Sequence, residues 1–178
     1  AENNIRVAYP TTSVQYFHLL RRQAMLDDKK PLVIFSPKSL LRAEETKSEL
    51  EAFEEEQFRF ILDDPNPPNN PKRILLCSGK VGYDLLEYRD NEKIEDAVIV
   101  RIEQLYPFPF KDFDAILEKY PSAREIRWVQ EEPRNMGAWV FIYSRLRDRL
   151  KDAYTFKYVG RLVSGSPATG NAEVHSVE

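Results

Sequence analysis

The sequence predicts an α/β fold in which a mostly parallel sheet is flanked by helices in three layers. Short apolar runs alternate with amphipathic segments from residue 72 to residue 160. Strands that alternate with helices in this way form parallel sheets with right-handed crossovers. Hydrophobic residues make up 42% of the 178 residues and charged residues 31%, which allows one core beneath a charged surface. A Pro- and Asn-rich stretch separates this region from an earlier strand, helix and strand.

The composition narrows the classes of function. The net charge is −3, which argues against a general nucleic-acid binder. No apolar run is long enough to cross a bilayer, so we expect no membrane-spanning segment. Cys77 is the single cysteine, which leaves neither an internal disulfide framework nor a Cys-rich metal site. One cysteine fits a reducing compartment.

Residues 1–35 predict a strand, a helix and a second strand. Residues 5–9 show the alternation that is typical of a strand. Thr12 with Gln15 three positions later is the pattern of a capping box, so a helix should begin there. Residues 31–35 are wholly apolar and predict a buried strand. The predicted buried face of the helix is an apolar stripe formed by Val14, Phe17, Leu20 and Ala24.

A change of charge marks a boundary near Arg42. Residues 1–43 carry seven Lys/Arg against three Asp/Glu, whereas residues 44–72 carry three against nine. The acidic part predicts a short surface helix within residues 43–57. The alternation of residues 58–62 then predicts an edge strand.

The stretch over residues 63–71 holds four prolines and three asparagines. It predicts a linker or extended loop, because proline fixes φ and removes a hydrogen-bond donor. We therefore expect three parts: residues 1–42, a linker over residues 43–71 and a C-terminal α/β domain over residues 72–178. In the third part the predicted strands cover residues 73–78, 97–105, 126–130 and 154–159, and the predicted helices cover residues 81–88, 110–119 and 138–150.

The end of the predicted strand at residues 126–130 is the first candidate site, because ligands of open α/β sheets bind where strands end and helices begin. Glu131 and Glu132 follow this strand, but adjacent residues point to opposite faces and do not easily share a proton. We therefore expect one glutamate near the positive N-terminus of the next helix and the other paired with an arginine. Gly137 supplies either a φ that the turn demands or a close backbone approach.

Basic residues on both sides of residues 31–35 form the second candidate site. They either converge on an anion such as a phosphate or form a solvated basic face, and the solvated face is the commoner outcome. Residues 36–39 lack the glycines of a phosphate-binding P-loop. The basic set comprises Arg21, Arg22, Lys29, Lys30, Lys38 and Arg42.

The remaining reactive side chains are interpreted as structural. His18 lies next to an apolar helical face and should be a buried, hydrogen-bonded residue. Cys77 lies inside an apolar strand and should be a buried, unreactive thiol. The sequence contains no Ser/His/Asp order, no metal-ligand spacing and no glycine-rich dinucleotide loop. The residues by themselves therefore predict an α/β domain with a partner surface.

Six motifs follow one another along nearly the whole chain. They are Pro-Thr-Thr at residues 10–12, Gln-Tyr-Phe-His-Leu-Leu-Arg-Arg-Gln at 15–23, Ser-Pro-Lys-Ser-Leu-Leu-Arg at 36–42, Cys-Ser-Gly-Lys-Val at 77–81, Val-Arg-Ile-Glu-Gln-Leu-Tyr-Pro-Phe-Pro at 100–109 and Gln-Glu-Glu-Pro-Arg-Asn-Met-Gly-Ala-Trp at 130–139. In this order they resemble the C-terminal region of the 2-oxoglutarate dehydrogenase E1 family, whose members are thiamine-diphosphate-dependent decarboxylating subunits. Residues 72–160 are also similar, more distantly, to the C-terminal domain of transketolases.

The resemblance implies that residues 1–42 are the last helix and strand of a pyrimidine-binding, transketolase-like α/β domain. In such an enzyme, thiamine diphosphate and Mg²⁺ support the decarboxylation of 2-oxoglutarate, and the succinyl group passes to the lipoyl arm of E2. The domains that bind the cofactor would lie upstream of Ala1. We therefore expect a fragment that has no catalytic residue, no cofactor and no metal of its own.

The implied partners are the rest of the E1 chain, a second E1 copy in a homodimer and the E2 succinyltransferase, with no nucleic acid and no membrane. Some family members respond to acetyl-CoA or AMP, and we expect Arg22, Lys38 and Ser39 to contact such an effector. The fragment itself would be structural, or regulatory if the effector binds. A related E1 that acts on 2-oxoadipate fits the same motifs. The implied location is the bacterial cytoplasm or, in a eukaryote, the mitochondrial matrix.

Overall fold

The computed structural model describes residues 2–168 and residue 170, and the predicted α/β class is confirmed. The part of the expected C-terminal domain beyond residue 170 lies outside the described residues. The strands are β1 (Arg6–Ala8), β2 (Leu32–Ile34), β3 (Ile61–Leu62), β4 (Arg73–Cys77), β5 (Ala97–Ile102), β6 (Gln104–Tyr106), β7 (Glu125–Val129) and β8 (Thr155–Val159). The helices are α1 (Ser13–Met25), α2 (Leu50–Glu55), α3 (Val81–Asn91), α4 (Phe110–Lys119) and α5 (Trp139–Leu150), with a short 3-10 helix at Glu44–Thr46.

The larger sheet has the strand order β3-β5-β4-β7-β8. Strands β5, β4, β7 and β8 are parallel, because each connection contains a helix that returns the chain to the same edge of the sheet. The edge strand predicted over residues 58–62 forms only at Ile61–Leu62, where β3 pairs antiparallel with β5 at one edge of the sheet. From β4 the chain continues to β5, towards one edge of the sheet, whereas from β7 it continues to β8, at the opposite edge. The connections of the neighbours β4 and β7 therefore diverge.

Side-chain alternation along the parallel strands divides the core between the two faces of this sheet. Helices α4 and α5 cover one face, and α3 covers the other, which gives three layers. Beneath α3 lie Cys77, Ile99 and Val129, packed against Val81, Leu85 and Leu86. The opposite face includes Ile74, Leu76, Val98, Val100, Ile126 and Trp128 from the strands and Phe113, Ile116, Ile142 and Leu146 from the helices.

The smaller sheet has the order β2-β1-β6 and joins the N-terminal strands to residues 104–106. Strand β1 is parallel to β2 and antiparallel to β6. The single strand expected over residues 97–105 is therefore wrong: the run divides at Glu103 into β5 of the larger sheet and β6 of the smaller sheet. It divides because the backbone N–H of Glu103 donates to Phe60 O (2.9 Å) while its carbonyl accepts from Tyr9 N (2.8 Å).

Helix α1 begins at the predicted position, but the predicted buried face is wrong. Gln15 N donates to the capping hydroxyl of Thr12 at 3.2 Å. Phe17 and Leu20 of the expected stripe are 43% and 46% exposed. The buried face instead consists of Val14, Gln15, His18 and Leu19. Two polar side chains are buried there because each finds a partner: Gln15 Nε2 donates to Arg59 O (2.6 Å), and His18 Nε2 lies 2.9 Å from Ala52 O.

Strand β2 does not have the burial expected of residues 31–35. It is the edge of the smaller sheet, and Val33 and Phe35 are exposed in the described structure. Leu32 and Ile34, which point to the other face, pack partly against the cluster around Ala8 and Leu19. An apolar run of this length therefore formed a strand covered on one face.

The Pro-rich stretch contains no helix or strand, as predicted, but its start is held firmly. Asp64 is buried and forms an ion pair with buried Arg89 of α3. Its carboxylate also accepts from Ile99 N at 2.9 Å. Asp63 accepts from Tyr120 Oη at 2.7 Å. The acidic residues that precede the prolines thus fix the loop to α3, β5 and the end of α4.

We predict that Asp64→Asn destabilises the protein by about 3–5 kcal/mol, because it leaves the buried Arg89 guanidinium without its buried counter-charge. Urea denaturation at pH 7 measures the change. The matched control is Asp90→Asn, which removes the other, exposed partner of Arg89 (2.9 Å) and should cost no more than about 1 kcal/mol. Equal losses in the two variants would contradict the prediction.

Candidate functional site

A cleft of about 650 Å³ lies where strands of both sheets end. Tyr9 follows β1, Ser78 follows β4 and Gln130 follows β7, and all three line the cleft. The connections of β4 and β7 diverge at this point. In open α/β sheets, ligands bind outside the carboxyl ends of strands at such a switch point. The cleft is therefore the candidate site that the fold itself indicates.

The walls of this switch-point cleft include five aromatic side chains among thirteen lining residues. Tyr9 and Phe35 form one pair with ring centroids 5.8 Å apart, and Tyr106 and Phe141 form another at 6.0 Å. Arg145 lies over the Phe141 ring, 5.2 Å from its centroid. Besides Tyr9 and Tyr106, the residues with polar side chains in the lining are Ser78, Gln130, Glu132 and Arg145. Such a cleft suits an apolar or planar group with few polar anchors.

Gln130 organises the turn between β7 and α5. Its Oε1 accepts from Trp128 Nε1 (2.8 Å) and from Trp139 N (2.9 Å), the first residue of α5. Its Nε2 donates to the carbonyls of Glu132, Pro133 and Met136 at 3.1, 3.2 and 2.7 Å. This role of Gln130 was not predicted from the sequence. A side-chain amide carries a carbonyl acceptor and two N–H donors, so it can accept from a helix N-terminus and donate to a loop, and its position before a Pro- and Gly-bearing turn was the available signal.

The two glutamates lie at the same turn. The Glu131 carboxylate lies 3.3 Å from Lys80 Nζ, so its partner is a lysine and the expected arginine pairing is wrong for it. Burial alone would lower the pKa of Lys80, but hydrogen bonds and charge from Asp84 and Glu131 raise it above its ordinary value. The carbonyl of Glu132 accepts from Tyr158 Oη at 3.0 Å, and Glu132 lines the cleft. Burial, followed by the charge of Glu131, raises the pKa of Tyr9.

Gly137 has a φ of +64°, a conformation that L side chains rarely adopt. A Cβ atom at this position would also lie 2.7 Å from Gln130 Nε2. The turn therefore combines a positive φ with a close approach to the Gln130 amide. Both constraints act on the residue two positions before α5.

The structure separates the three residues chosen as effector contacts. Arg22 lines a second cleft of about 440 Å³, together with Arg6, Lys30 and Lys111. Its Nη1 donates to Gln104 Oε1 at 3.1 Å, and its guanidinium lies 4.8 Å from the Phe60 ring centroid. Burial and the charge of Arg6 lower the pKa of Arg22. Lys38 and Ser39 lie in the turn after β2 and line neither cleft.

His18 and Cys77, the two side chains interpreted as structural, are enclosed. His18 is buried against Ala52 O, as expected. Burial raises the pKa of Cys77 to about 12, so its thiol is protonated and unreactive at neutral pH. In the described ranges, no three His, Cys, Asp or Glu side chains are grouped so that they could hold a metal ion. No helix in those ranges is long and apolar enough to span a bilayer.

We predict that Gly137→Ala destabilises the protein by at least about 1–2 kcal/mol, because an L residue is strained at positive φ and its Cβ would displace Gln130. Thermal denaturation followed by tryptophan fluorescence measures the loss, since Trp128 and Trp139 both bond to Gln130. The control is Gly165→Ala, where a Cβ has no heavy atom within 4 Å and the cost should stay within about 0.5 kcal/mol. A Gly137→Ala variant as stable as the control would contradict this account.

Comparison with known proteins gives two adjacent family matches. The family described as 2-oxoglutarate dehydrogenase C-terminal matches residues 47–178. The transketolase pyrimidine binding domain matches residues 1–44.

Curated relatives extend the similarity over the whole chain. The 2-oxoglutarate dehydrogenase E1 component of Rickettsia conorii is 49% identical over 99% of this chain and 19% of its own length. The E1 component of Rickettsia felis is 50% identical over 99% of this chain and 18% of its length, and that of Shouchella clausii is 45% identical over the whole chain and 20% of its length. The chain thus spans about a fifth of the length of these relatives. It belongs to the 2-oxoglutarate dehydrogenase C-terminal family, and residues 1–44 match part of a transketolase pyrimidine-binding domain.

Proposed function

We propose that the chain is the C-terminal part of an E1 component that decarboxylates 2-oxoglutarate oxidatively and passes the succinyl group to the lipoyl arm of E2. The similarity to E1 components over essentially the whole chain carries this proposal. The parent enzyme would form a homodimer, bind E2 and work in the tricarboxylic acid cycle. The relatives named above are bacterial, which supports a cytoplasmic rather than a mitochondrial location.

Thiamine diphosphate and Mg²⁺ would supply the chemistry of the parent enzyme. We propose that both bind to the rest of the parent chain, because no three His, Cys, Asp or Glu side chains among the described residues are grouped so that they could hold the metal ion. We therefore assign no catalytic step to these residues. Their contribution is structural: the smaller sheet and helix α1 hold residues 1–42 against the C-terminal α/β layers.

We predict that the isolated chain does not consume 2-oxoglutarate when it is supplied with thiamine diphosphate and Mg²⁺. The same sequence should support activity when it replaces the corresponding C-terminal part of the Rickettsia conorii relative. The control is that relative without its C-terminal part, which should be inactive. Turnover by the isolated chain would overturn the structural assignment, and 2-oxoadipate tested alongside 2-oxoglutarate in the chimera distinguishes the two substrates.

A second candidate function is the binding of an anionic effector such as acetyl-CoA or AMP. One observation favours it: Arg22 faces a cleft that Arg6, Lys30 and Lys111 also line, and its polar contact among the described residues is the neutral Gln104. Arg6 and Lys30 already pair with Asp28 at 3.5 and 2.7 Å, so the phosphate oxygens of an anion would bind chiefly to Arg22 and Lys111. Lys38 and Ser39 remain proposed contacts only for a ligand long enough to reach the turn after β2.

We predict that calorimetry detects heat when acetyl-CoA or AMP is titrated into the wild-type chain, and that Arg22→Ala weakens binding about tenfold or more. The control is Arg21→Ala, which removes an exposed arginine from the same helix and should leave binding unchanged. Lys38→Ala and Ser39→Ala test the extended contact separately. If neither ligand gives heat, or if the two arginine variants bind alike, this candidate function is wrong.

A further inference from the structure

The carboxylate of Glu103 is fully buried between residues 1–42 and the C-terminal layers. One oxygen accepts from Thr11 N at 2.9 Å, and the other bonds to Thr11 Oγ1 at 2.6 Å. Gln15 Nε2 lies 3.5 Å from the first oxygen. In the described structure, the hydrogen-bond partners of this carboxylate thus all come from the N-terminal side of the boundary at Arg42.

Hydrogen bonds connect Arg101 to Glu103 through Thr11. Arg101 Nη1 donates to Thr11 Oγ1 at 3.2 Å, and that hydroxyl in turn bonds to Glu103. Among the described residues, no salt bridge joins Arg101 to Glu103 directly. The C-terminal layers therefore supply both charges, and Thr11 supplies the hydroxyl that bridges them. Tyr83 Oη closes the arrangement by donating to Thr11 O at 2.7 Å.

The titratable groups that face Glu103 all belong to the C-terminal layers. Strand β5 contributes Arg101, α3 contributes Tyr83 and β4 contributes Cys77. On the N-terminal side, the described side chains that face the carboxylate are the neutral Thr11 and Gln15. The segment that precedes β3 contributes backbone, through the bond from Glu103 N to Phe60 O at 2.9 Å.

This arrangement makes the ionisation of Glu103 depend on whether Thr11 and α1 cover it. Burial raises the pKa of Glu103 from 4.5 to about 7, although Arg101 and the bonds from Thr11 oppose the shift. If residues 1–42 separated from the C-terminal layers, Glu103 would meet water and return to an ordinary carboxylate. Between pH 4.5 and about 7, the covered form holds more protons than the uncovered form, so acidification favours the covered form and rising pH favours separation.

We propose that Thr11 and Glu103 form a proton-linked latch, in which docking of residues 1–42 on the C-terminal layers takes up a proton. The latch is closed most firmly in mildly acidic conditions. It weakens as the pH rises towards neutrality and then stays constant. Proton uptake is thereby coupled to the contact between the pyrimidine-binding part and the C-terminal domain.

Hydrogen exchange of α1 amides at pH 5, 6, 7 and 8 tests the latch, with wild type compared to Glu103→Gln at each pH. Glutamine keeps the size of the side chain but cannot ionise. We expect the ratio of the α1 opening constants, wild type over variant, to rise about tenfold per pH unit up to about pH 7 and then to level off. Exchange in peptides from β4 and β7 serves as the internal reference. The rate at which a thiol reagent labels Cys77, the single cysteine, reports whether the layer beneath α3 stays closed.

A ratio that does not change with pH would overturn the proposal. So would a parallel loss of protection in β4 and β7, because the proton would then be linked to global unfolding rather than to docking. Thr11→Val and Thr11→Ser form a second pair: valine removes the bridging hydroxyl and should lower α1 protection at every pH, whereas serine should retain it. If Glu103→Gln does not fold, the wild-type series carries the test after correction for intrinsic exchange rates.

Discussion

One extended run, residues 97–106, belongs to both sheets, and the docking of residues 1–42 on the C-terminal layers depends on it. It leaves the larger sheet as β5 and enters the smaller sheet as β6. At the break, the backbone of Glu103 bonds to Phe60 on one side and to Tyr9 on the other. Three stretches that are far apart in sequence therefore meet at a single residue. The position of β1 and α1 against the larger sheet follows from this division.

That meeting point concentrates buried polar side chains. Arg101, Glu103 and Gln104 are all buried, and each would be costly to bury without partners. Their partners come from elsewhere: Thr11 bridges the first two, and the Gln104 amide connects Arg22 to the carbonyl of Pro107 at 2.8 Å. A buried network of this kind is favourable only when all its members are satisfied. The network therefore favours one orientation of residues 1–42 on the C-terminal layers, whereas apolar burial alone would not select an orientation.

Most of the fold was readable from the sequence because the C-terminal region follows its periodicities closely. The predicted helix over residues 110–119 has the bounds observed for α4. The errors arose where tertiary partners overrode hydrophobicity. The buried face of α1 includes Gln15 and His18 because carbonyls of a distant segment face them, and no local pattern encodes those carbonyls.

Residues that follow the strand end at residues 126–130 line the candidate cleft, but the sequence did not indicate which of them organises the turn. Glu131 and Glu132 were the predicted contacts at the strand end of residues 126–130, because they are the charged residues that follow it. The structure gives the organising contacts to the neutral Gln130, which accepts from α5 and donates to the turn. Arg22, Lys38 and Ser39 are close in sequence to one strand but lie in different surroundings. Closeness in sequence to a strand does not determine at which end of that strand a side chain lies.

The anchoring of Asp64 has a practical consequence for dividing the chain. Composition suggests a cut just before residue 72, after the prolines. Such a cut would remove β3 and leave the apolar strand β5 with an unpaired edge, a template for association between molecules. It would also leave Arg89 buried without Asp64. A soluble C-terminal piece should therefore begin before residue 58, whereas a tag or reporter is better inserted between Asn69 and Asn70, because both residues are exposed.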